Sequence, residues 1–551
     1  MKSRDLWLLG AVFVLLPPLL LWPMPRVGLD ALLTLPQGEA AAHVWALWAA
    51  AVERCPLQTH TRLLCWPDGV DLLPIDPINI PWVALGARFG PSAAYNAIFL
   101  GGLLLMGVAG ILLARAAGGA PWLGAAVAMT CPAFLAGTLR GATEQLSAGW
   151  VGIGLALLLL ALQRGGWGRV TAAGLGMGAC VWAGPYNALW MALAGLIIGL
   201  GLLVRRDGRA WRRALPAALL AVVVAAPMIW AILHNPLLAE DRRLWGGAPL
   251  PRADVVPAFR GGMIGVADLL DPWVPALFTG PFSDLSQTTY LGIVALLAAG
   301  IAAIRHRSLR PWFAGAVAAS AVGLGPWLYL DNELLHVAGR PLAGPTWFLQ
   351  HLPFLHRLTH WYRVAPVAGL LLVPLVSAWG RRRWAPVLAM ALVADALLLA
   401  PFPWPFPATP PPGHHVLDDL PPGGAILELP SSTQPDPPTG VWRNAGALGQ
   451  VAHHHPITST AMVLPEPRSL GEIRTEFTGL LAGDGLPAWV KPKLEALDIR
   501  WLVLYTSYPS MAHPNLSRRL TQCFGPPVEQ RVDTWLWNLA GAPSGACPPA
   551  P

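Results

Sequence analysis

Glu39 and His43 are the first residues along the chain with the makings of a reaction centre. They lie in 35–51, LPQGEAAAHVWALWAAA, after the first hydrophobic run. Four residues apart on a helix, a carboxylate and an imidazole share one face. The opposite face is Ala, Val, Leu and Trp, which suits a helix lying at the lipid–water boundary. A carboxylate held there can take a proton from a hydroxyl as general base. The imidazole can bind phosphate as a cation or a metal as a neutral ring. The plainer alternative makes Glu39 only a charge at the start of a helix that begins after Pro36, and His43 a solvated interfacial side chain.

Three further places interrupt apolar sequence with polar residues: Arg140-Gly-Ala-Thr-Glu144-Gln in a tiny loop, Tyr186-Asn187 in another short turn, and Arg357, His360, Tyr362 and Arg363 at the head of a later run. Together with Glu39 and His43 they suit transfer of a sugar from a polyprenyl-phosphate donor, whose lipid stays in the bilayer and whose phosphosugar lies at its surface. Glu39, His43 and Glu144 are the candidate catalytic residues, and Arg140 and Arg363 the candidates for binding donor phosphate. One of those arginines, or a divalent cation such as Mg or Mn, can offset charge building on the leaving group. The competing readings are a local i,i+4 pair for Arg140 and Glu144, and a snorkelling anchor for Arg363 within an aromatic belt of Trp361 and Tyr362. Asp395 falls near the end of the last apolar run, where an interfacial position is expected. His453-His-His-Pro is not a metal site on a strand, because three adjacent side chains cannot all point one way.

These residues need a bundle to hold them. The chain has 551 residues, 54% hydrophobic and 12% charged, with mean hydropathy +0.50. Soluble domains run near about 25% charged, so this is a polytopic α-helical membrane protein. Crossing a bilayer takes about 17–25 apolar residues. Eleven runs approach that length: 6–22, 95–114, 121–138, 146–162, 170–184, 187–204, 214–233, 289–304, 311–329, 362–379 and 385–400. No small-x-small cleavage site follows the first run, so it is read as an uncleaved helix. The net charge of +7 does not imply nucleic-acid binding: only three of 37 basic residues are Lys, and no basic run is interleaved with aromatics.

The basic residues mark topology instead. Alternate connections carry Lys2 and Arg4, Arg115, Arg164 and Arg169, Arg205 to Arg213, Arg305 to Arg310, and Arg381 to Arg383, with only Asp5 and Asp207 as acids. The positive-inside rule puts these connections and the N-terminus in the cytoplasm of a bacterial inner membrane, and the C-terminus outside. The segments 23–94, 234–288, 330–361 and the tail from 401 then face outward, along with all four polar places. The first of these is rich in fixed turns, including Pro74-Ile-Asp-Pro-Ile-Asn-Ile-Pro.

The membrane module is expected over 1–400. A Pro-rich stretch, 401–415, reads as a stiff extended linker. Beyond it, strand patterns at 425–430, 501–506 and 529–539, with helix patterns at 469–481 and 491–497, predict a small extracytoplasmic α/β domain over 416–551. Cys55 with Cys65 and Cys523 with Cys547 form two pairs on the outer side, where disulfides persist. Cys131 and Cys180 lie inside spans and are expected as thiols. No CxxC spacing occurs.

At this point the residues resemble a family. Gly38-Glu39…His43-Val-Trp45 is similar to the early outer loop of the GT-C superfamily of membrane glycosyltransferases, and most resembles the bacterial YfhO-like multi-span proteins. Further stretches fit that pattern: Trp66-Pro-Asp-Gly-Val-Asp71, Gly90-Pro-Ser-Ala-Ala-Tyr95-Asn96, Arg140-Gly-Ala-Thr-Glu144, Tyr290-Leu-Gly292, Leu352-Pro-Phe-Leu…His360-Trp-Tyr-Arg363, and Leu417-Asp-Asp-Leu-Pro…Ala425-Ile-Leu-Glu-Leu-Pro430. The resemblance implies a polyprenyl-phosphate sugar donor, an outward-facing site, and a first-loop acid acting as base or metal ligand. Asp71, Tyr186, Asn187 and Tyr290 are the expected substrate-binding residues, and a glycan, lipid or protein the acceptor. In the superfamily the first-loop acid is usually Asp; here it is Glu39, one methylene longer, and a misplacement near 1 Å can cost ~100-fold in rate. Asp30 is a fallback base. Two other functions compete: a flippase for a lipid-linked intermediate, which would place charges or broken helices at mid-membrane, and an inactive scaffold. No P-loop, GxSxG or HExxH supports a soluble-enzyme reading.

Overall fold

The computed structural model describes residues 3–35, 38–72, 74–235, 289–330, 333–349, 360–400, 402–411, 417, 420–429, 445–459, 472–473, 475–477, 479–480, 484–506, 514–532, 534–540 and 547. In hydrocarbon every backbone amide must find its partner within the chain, so apolar runs fold as helices. All eleven runs do so, as Ser3–Leu20, Pro91–Ala116, Pro121–Met129 with Pro132–Arg140, Gly149–Arg164, Trp167–Trp182, Pro185–Arg205, Gly208–Leu233, Ile293–Arg305, Arg310–Gly323, Ala365–Ser377 and Ala385–Ala394. Among the described residues six helical stretches are long and apolar enough to cross a membrane. The third run is broken in two. Pro132 lacks the amide that would bond back along the helix, and the Thr130 hydroxyl turns to Ala126 O at 2.8 Å. Most of the expected outer segment 234–288 lies outside the described residues.

The arginine-bearing turns gather at one end of the bundle. Arg213 Nη1 donates to Leu162 O at 2.7 Å, Gln163 Nε2 to Ala116 O at 3.1 Å, and Arg381 Nη2 to Gly118 O at 3.4 Å. Arg305 stacks over the Trp379 ring at 5.2 Å. The acids of the site collect at the opposite ends of the same helices.

The first-loop helix, Ala40–Val52, is not at a lipid–water boundary. It is buried on nearly every face, between Ile80–Gly86, Pro91–Ala116 and Ala445–His453. The reason is in its composition: apart from His43 every residue from 40 to 52 is apolar, and a helix apolar all round belongs in a core.

What covers it is the tail. A four-stranded sheet runs in the order Ala425–Leu429, Ile499–Tyr505, Thr534–Asn538, Glu529–Gln530. The first pair is parallel and the others antiparallel. Alternate residues of a strand face opposite ways. Leu427, Leu429, Leu502 and Leu504 pack on the domain's own apolar layer with Val490, Leu494, Leu520 and Trp537. Ile426, Val503, Tyr505 and Leu536 join the core that contains Trp45 and Trp48. The domain and the first loop are further stitched by Trp66 N to Ile457 O and Cys65 N to Ser459 O, each 3.1 Å, and by Trp66 Nε1 to Leu497 O at 2.7 Å.

Between the bundle and the sheet, 402–411 does not stand off as a spacer. Phe406 packs edge-on against Phe99, its amide donates to Trp22 O at 2.9 Å, and Leu32 and Thr409 exchange backbone hydrogen bonds of 2.9 Å.

The Cys523–Cys547 bridge is present, and Cys131 and Cys180 are buried thiols. The expected Cys55–Cys65 bridge is not. Cys65 is buried with its sulfur 3.9 Å from Ser459 O, while Cys55 is exposed beyond the end of the Ala40–Val52 helix. The backbone pairing of Cys65 with the tail directs its thiol there. Of the three adjacent histidines, His453 and His455 are buried and His454 meets the Trp48 ring at 5.2 Å; they do not converge.

One hydrogen bond joins the tail directly to the helix that carries Glu39 and His43. Trp45 Nε1 donates to Gln450 Oε1 at 2.5 Å, and Gln450 Nε2 donates to Leu63 O and His455 O at 2.7 and 2.6 Å. Gln450→Ala leaves a buried indole N–H unpaired, a cost of about 1–3 kcal/mol. The expected outcome is faster proteolytic release of the tail from the detergent-solubilised protein. An unchanged cleavage rate would show that this contact does not hold the tail down.

Candidate active site

The site is assembled from four separated stretches of chain. The first is the start of the Ala40–Val52 helix, with Glu39 at its N-cap. The second is the turn 140–146. Leu139 O accepts Leu35 N at 3.1 Å and the Thr34 hydroxyl at 2.7 Å, which lays this turn beside the helix start. Gly141 lets it close: its φ is +81°, and a Cβ there would lie 2.5 Å from Ala40 N and Cβ. Thr143 and Glu144 thus come alongside His43. The third stretch is the turn before Pro185–Arg205. A Cβ on Gly184, at φ +120°, would lie 2.9 Å from Glu144 Cβ, and Asn187 Nδ2 donates to Glu144 O at 2.9 Å. The fourth is the 3₁₀ turn Trp361–Val364, which delivers Arg363.

Arg363 lies between the two carboxylates. Its Nη1 donates to Glu144 Oε1 in a very short contact, and its Nη2 to Glu39 Oε2 at 3.3 Å. The guanidinium also lies over the Tyr186 ring, 5.1 Å from its centroid, and the Tyr186 hydroxyl accepts His360 N at 3.0 Å. His43 sits on the other side of the acids. Its Nε2 is 3.5 Å from Glu39 Oε2, its Nδ1 3.6 Å from Glu144 Oε2 and 2.9 Å from Thr143 Oγ1. The side chains of Arg363, His43 and Glu144 are 5–7% exposed, and that of Glu39 is 28% exposed. The set is a buried charge network with one carboxylate reaching outward. Arg363 is neither a snorkelling anchor nor solvent-exposed, and Glu144 is paired with it.

A second layer lies beneath, and sequence reasoning missed it. Asp76, fully buried, accepts Asn79 Nδ2 at 2.6 Å; the same amide reaches Ser147 Oγ at 2.8 Å. The signal was present in Asp76-Pro-Ile-Asn79, but a Pro-rich loop reads first as turn chemistry. Burial raises the Asp76 carboxyl to about 6, while His43, the Thr143 hydroxyl, the Asn79 amide and Arg363 pull it the other way.

The remaining sequence-predicted residues divide. Tyr186 and Asn187 join the site as described. Tyr290 does not: its hydroxyl donates to Asp395 Oδ1 at 2.7 Å, while Asp395 Oδ2 accepts Val294 N at 2.9 Å. Asp395 is buried within the protein, and the pair caps the helix Ile293–Arg305. Asp71 pairs with His60 Nδ1 at 2.9 Å in a short hairpin. Arg140 ends the helix Pro132–Arg140, but its side chain and all of Arg357 lie outside the described residues.

The Asp76 environment has a consequence for pH. A carboxyl raised above its ordinary value favours its protonated form in the fold. That contribution to stability is complete below about pH 4 and is lost as pH rises through about 6. A carboxylic-acid infrared band that titrates away near pH 6 and is missing from Asp76→Asn is expected. A band already gone at pH 4 would rule out this environment.

No protein-family profile matches the chain, and no curated protein is similar to it. Solved structures are. The arabinofuranosyltransferase AftD from Mycobacteria aligns with a TM-score of 0.51 at 18% identity, over 99% of this chain and 40% of its own. The chain therefore spans well under half the length of AftD. ArnT from Cupriavidus metallidurans, bound to undecaprenyl phosphate, aligns at TM-score 0.43 and 14% identity over 99% of this chain and 100% of its own. The oligosaccharyltransferase AglB from Archaeoglobus fulgidus, in complex with an inhibitory peptide and a dolichol-phosphate, aligns at 0.45 and 12% over 93% and 71%. The alignment with AftD speaks to the fold and not to the YfhO-like subtype. The chain is a multi-pass membrane protein whose helical bundle shares the fold of the part of AftD that it spans, with a small C-terminal sheet domain.

Proposed function

We propose that the chain is a membrane glycosyltransferase, moving a sugar from a polyprenyl-phosphate donor to a glycan, lipid or protein acceptor outside the cytoplasm. One observation carries this reading: Arg363 joins Glu39 and Glu144 beside His43 at one end of an AftD-like bundle. A partly exposed carboxylate next to a buried guanidinium is what a displacement at an anomeric carbon needs when the leaving group is a phosphate.

Glu39 is the carboxylate that an acceptor can reach. It takes the acceptor's hydroxyl proton as the hydroxyl oxygen bonds to the anomeric carbon. On the opposite face the bond from that carbon to the phosphate oxygen breaks, its electron pair stays on that oxygen, and the polyprenyl phosphate leaves. Arg363 faces the charge that accumulates there. Glu144 and the Tyr186 ring hold the guanidinium in place, and His43, through Glu39 Oε2, holds the base. A lipid-bound donor suits a site at one end of the helical bundle.

Purified protein given labelled polyprenyl-phosphate sugars and acceptors is expected to transfer label, and Glu39→Gln to slow transfer by about 10²–10⁴-fold. Lipid movement without transfer would favour a flippase; full activity in Glu39→Gln would remove Glu39 as the base.

The orientation that goes with this reading puts the N-terminus in the cytoplasm and the site and tail outside, in the bacterial inner membrane. Cys55 reports on it directly. It is exposed, while Cys65, Cys131 and Cys180 are buried and Cys523 is bridged to Cys547. A membrane-impermeant maleimide is expected to label the wild type in spheroplasts but not Cys55→Ser. Labelling that requires lysis would invert the topology and leave the reaction no donor on the proposed side.

A further inference from the structure

We infer that Arg363 is the resident cation of this site and takes the seat that a divalent metal would hold between the two carboxylates. The reading of the site as a glycosyltransferase matters here only for the consequence that transfer needs no added metal. The occupancy of the seat stands apart from it.

A first-loop acid in this fold raises the question of Mg²⁺ or Mn²⁺. Either ion takes a near-octahedral shell of oxygen ligands, with carboxylates turned openly towards it. Most carboxylate oxygens here are turned towards something else. Glu39 Oε2 faces Arg363 Nη2 at 3.3 Å and His43 Nε2 at 3.5 Å. Glu144 Oε1 faces Arg363 Nη1, and Glu144 Oε2 faces His43 Nδ1 at 3.6 Å. Asp76 Oδ2 is engaged by Asn79 at 2.6 Å, which leaves Asp76 Oδ1 and Glu144 Oε2 as the site's buried carboxylate oxygens without a hydrogen bond, one from each acid. Among the described residues no group of three or more His, Cys, Asp or Glu is placed to hold a metal. With Arg363 between the two glutamates, the donor set does not fit the ion.

The guanidinium fits what the ion would do. Its two terminal nitrogens are split between the two acids, one to each, which the point charge of an ammonium cannot reproduce. It does not lose its proton in a protein. Its Cζ lies over the Tyr186 ring, 5.1 Å from the centroid. A dication entering the same space would meet a fixed positive charge at contact distance, in surroundings too buried to screen it.

The test uses the full chain in detergent, stripped with a chelator and titrated with Mn²⁺, bound ion being read by electron paramagnetic resonance. The expected wild-type result is no bound Mn²⁺ that Glu39→Gln releases. Arg363→Ala opens the seat and is expected to bind Mn²⁺ about tenfold or more tighter than wild type. Adding Glu39→Gln to Arg363→Ala abolishes that binding. Wild-type Mn²⁺ binding that Glu39→Gln weakens about tenfold overturns the inference. So does a folded Arg363→Ala that binds none, or sugar transfer that a chelator stops and Mn²⁺ restores. Where Arg363→Ala does not fold, the comparison of wild type with Glu39→Gln decides alone. A failure of the glycosyltransferase reading shows itself as no transfer from any donor and leaves the Mn²⁺ comparison intact.

Discussion

A guanidinium that stays charged, with a side chain 5% exposed, has to be answered by negative charge within reach. Arg363 is answered twice, by Glu39 and Glu144. Breaking a buried ion pair by removing one partner typically costs about 3–5 kcal/mol, because the survivor is left uncompensated. The four stretches that meet at the site are therefore not independent. Moving the first-loop helix away from the turn 140–146, or either of them from the Trp361–Val364 turn, strands a charge. The same requirement explains local detail: Gly141 where the turn meets Ala40, Gly184 where the chain passes Glu144, and Asn187 holding the backbone of Glu144.

Burying that network takes a cover, and the bundle alone does not supply one. The Ala40–Val52 helix would expose Trp45 and Trp48 if its outer side were left to water. The tail closes it with the helix Ala445–His453, and the inner face of the sheet joins the same core. Period-two alternation gives each central strand two apolar faces, one for the tail's own helices and one for the first loop. Residues more than 400 positions apart, Trp45 and Gln450, share a hydrogen bond as a result. The tail is thus part of what fixes the position of Glu39 and His43.

Glu39, His43, Glu144 and Arg363 were legible in the sequence because each interrupts apolar surroundings, where a charge is costly and has to be accounted for. The eleven helices and the central strands were legible from length and period. What escaped was whatever depends on long-range packing. Asp76 sits among other polar and Pro residues, so nothing local distinguishes it from a turn residue. The burial of the Ala40–Val52 helix was visible in its all-round apolar composition, but its partner, the tail, lies some 400 residues on. Spacing suggested a Cys55–Cys65 bridge, yet the pairing of Cys65 with Ser459 decides where its thiol lies. Tyr290 reads as a substrate contact from resemblance alone; Asp395, an acid in the last apolar run, is what it bonds.

The same network bears on the expectation, drawn from resemblance, that the first-loop acid would be Asp where this chain has Glu39. In isolation an extra methylene misplaces a carboxylate by about one carbon–carbon bond, enough to cost ~100-fold where geometry is tight. Here the acid stands at the N-cap of its helix, and its Oε2 lies 3.3 Å from Arg363 Nη2 and 3.5 Å from His43 Nε2. Glu39 Oε2 is already the looser of the two contacts to the guanidinium. An aspartate on the same backbone would fall short of both partners and leave Arg363 leaning on Glu144 alone. The longer side chain is therefore matched to this position of the helix. The identity of the residue alone is thus no reason to read the site as inactive.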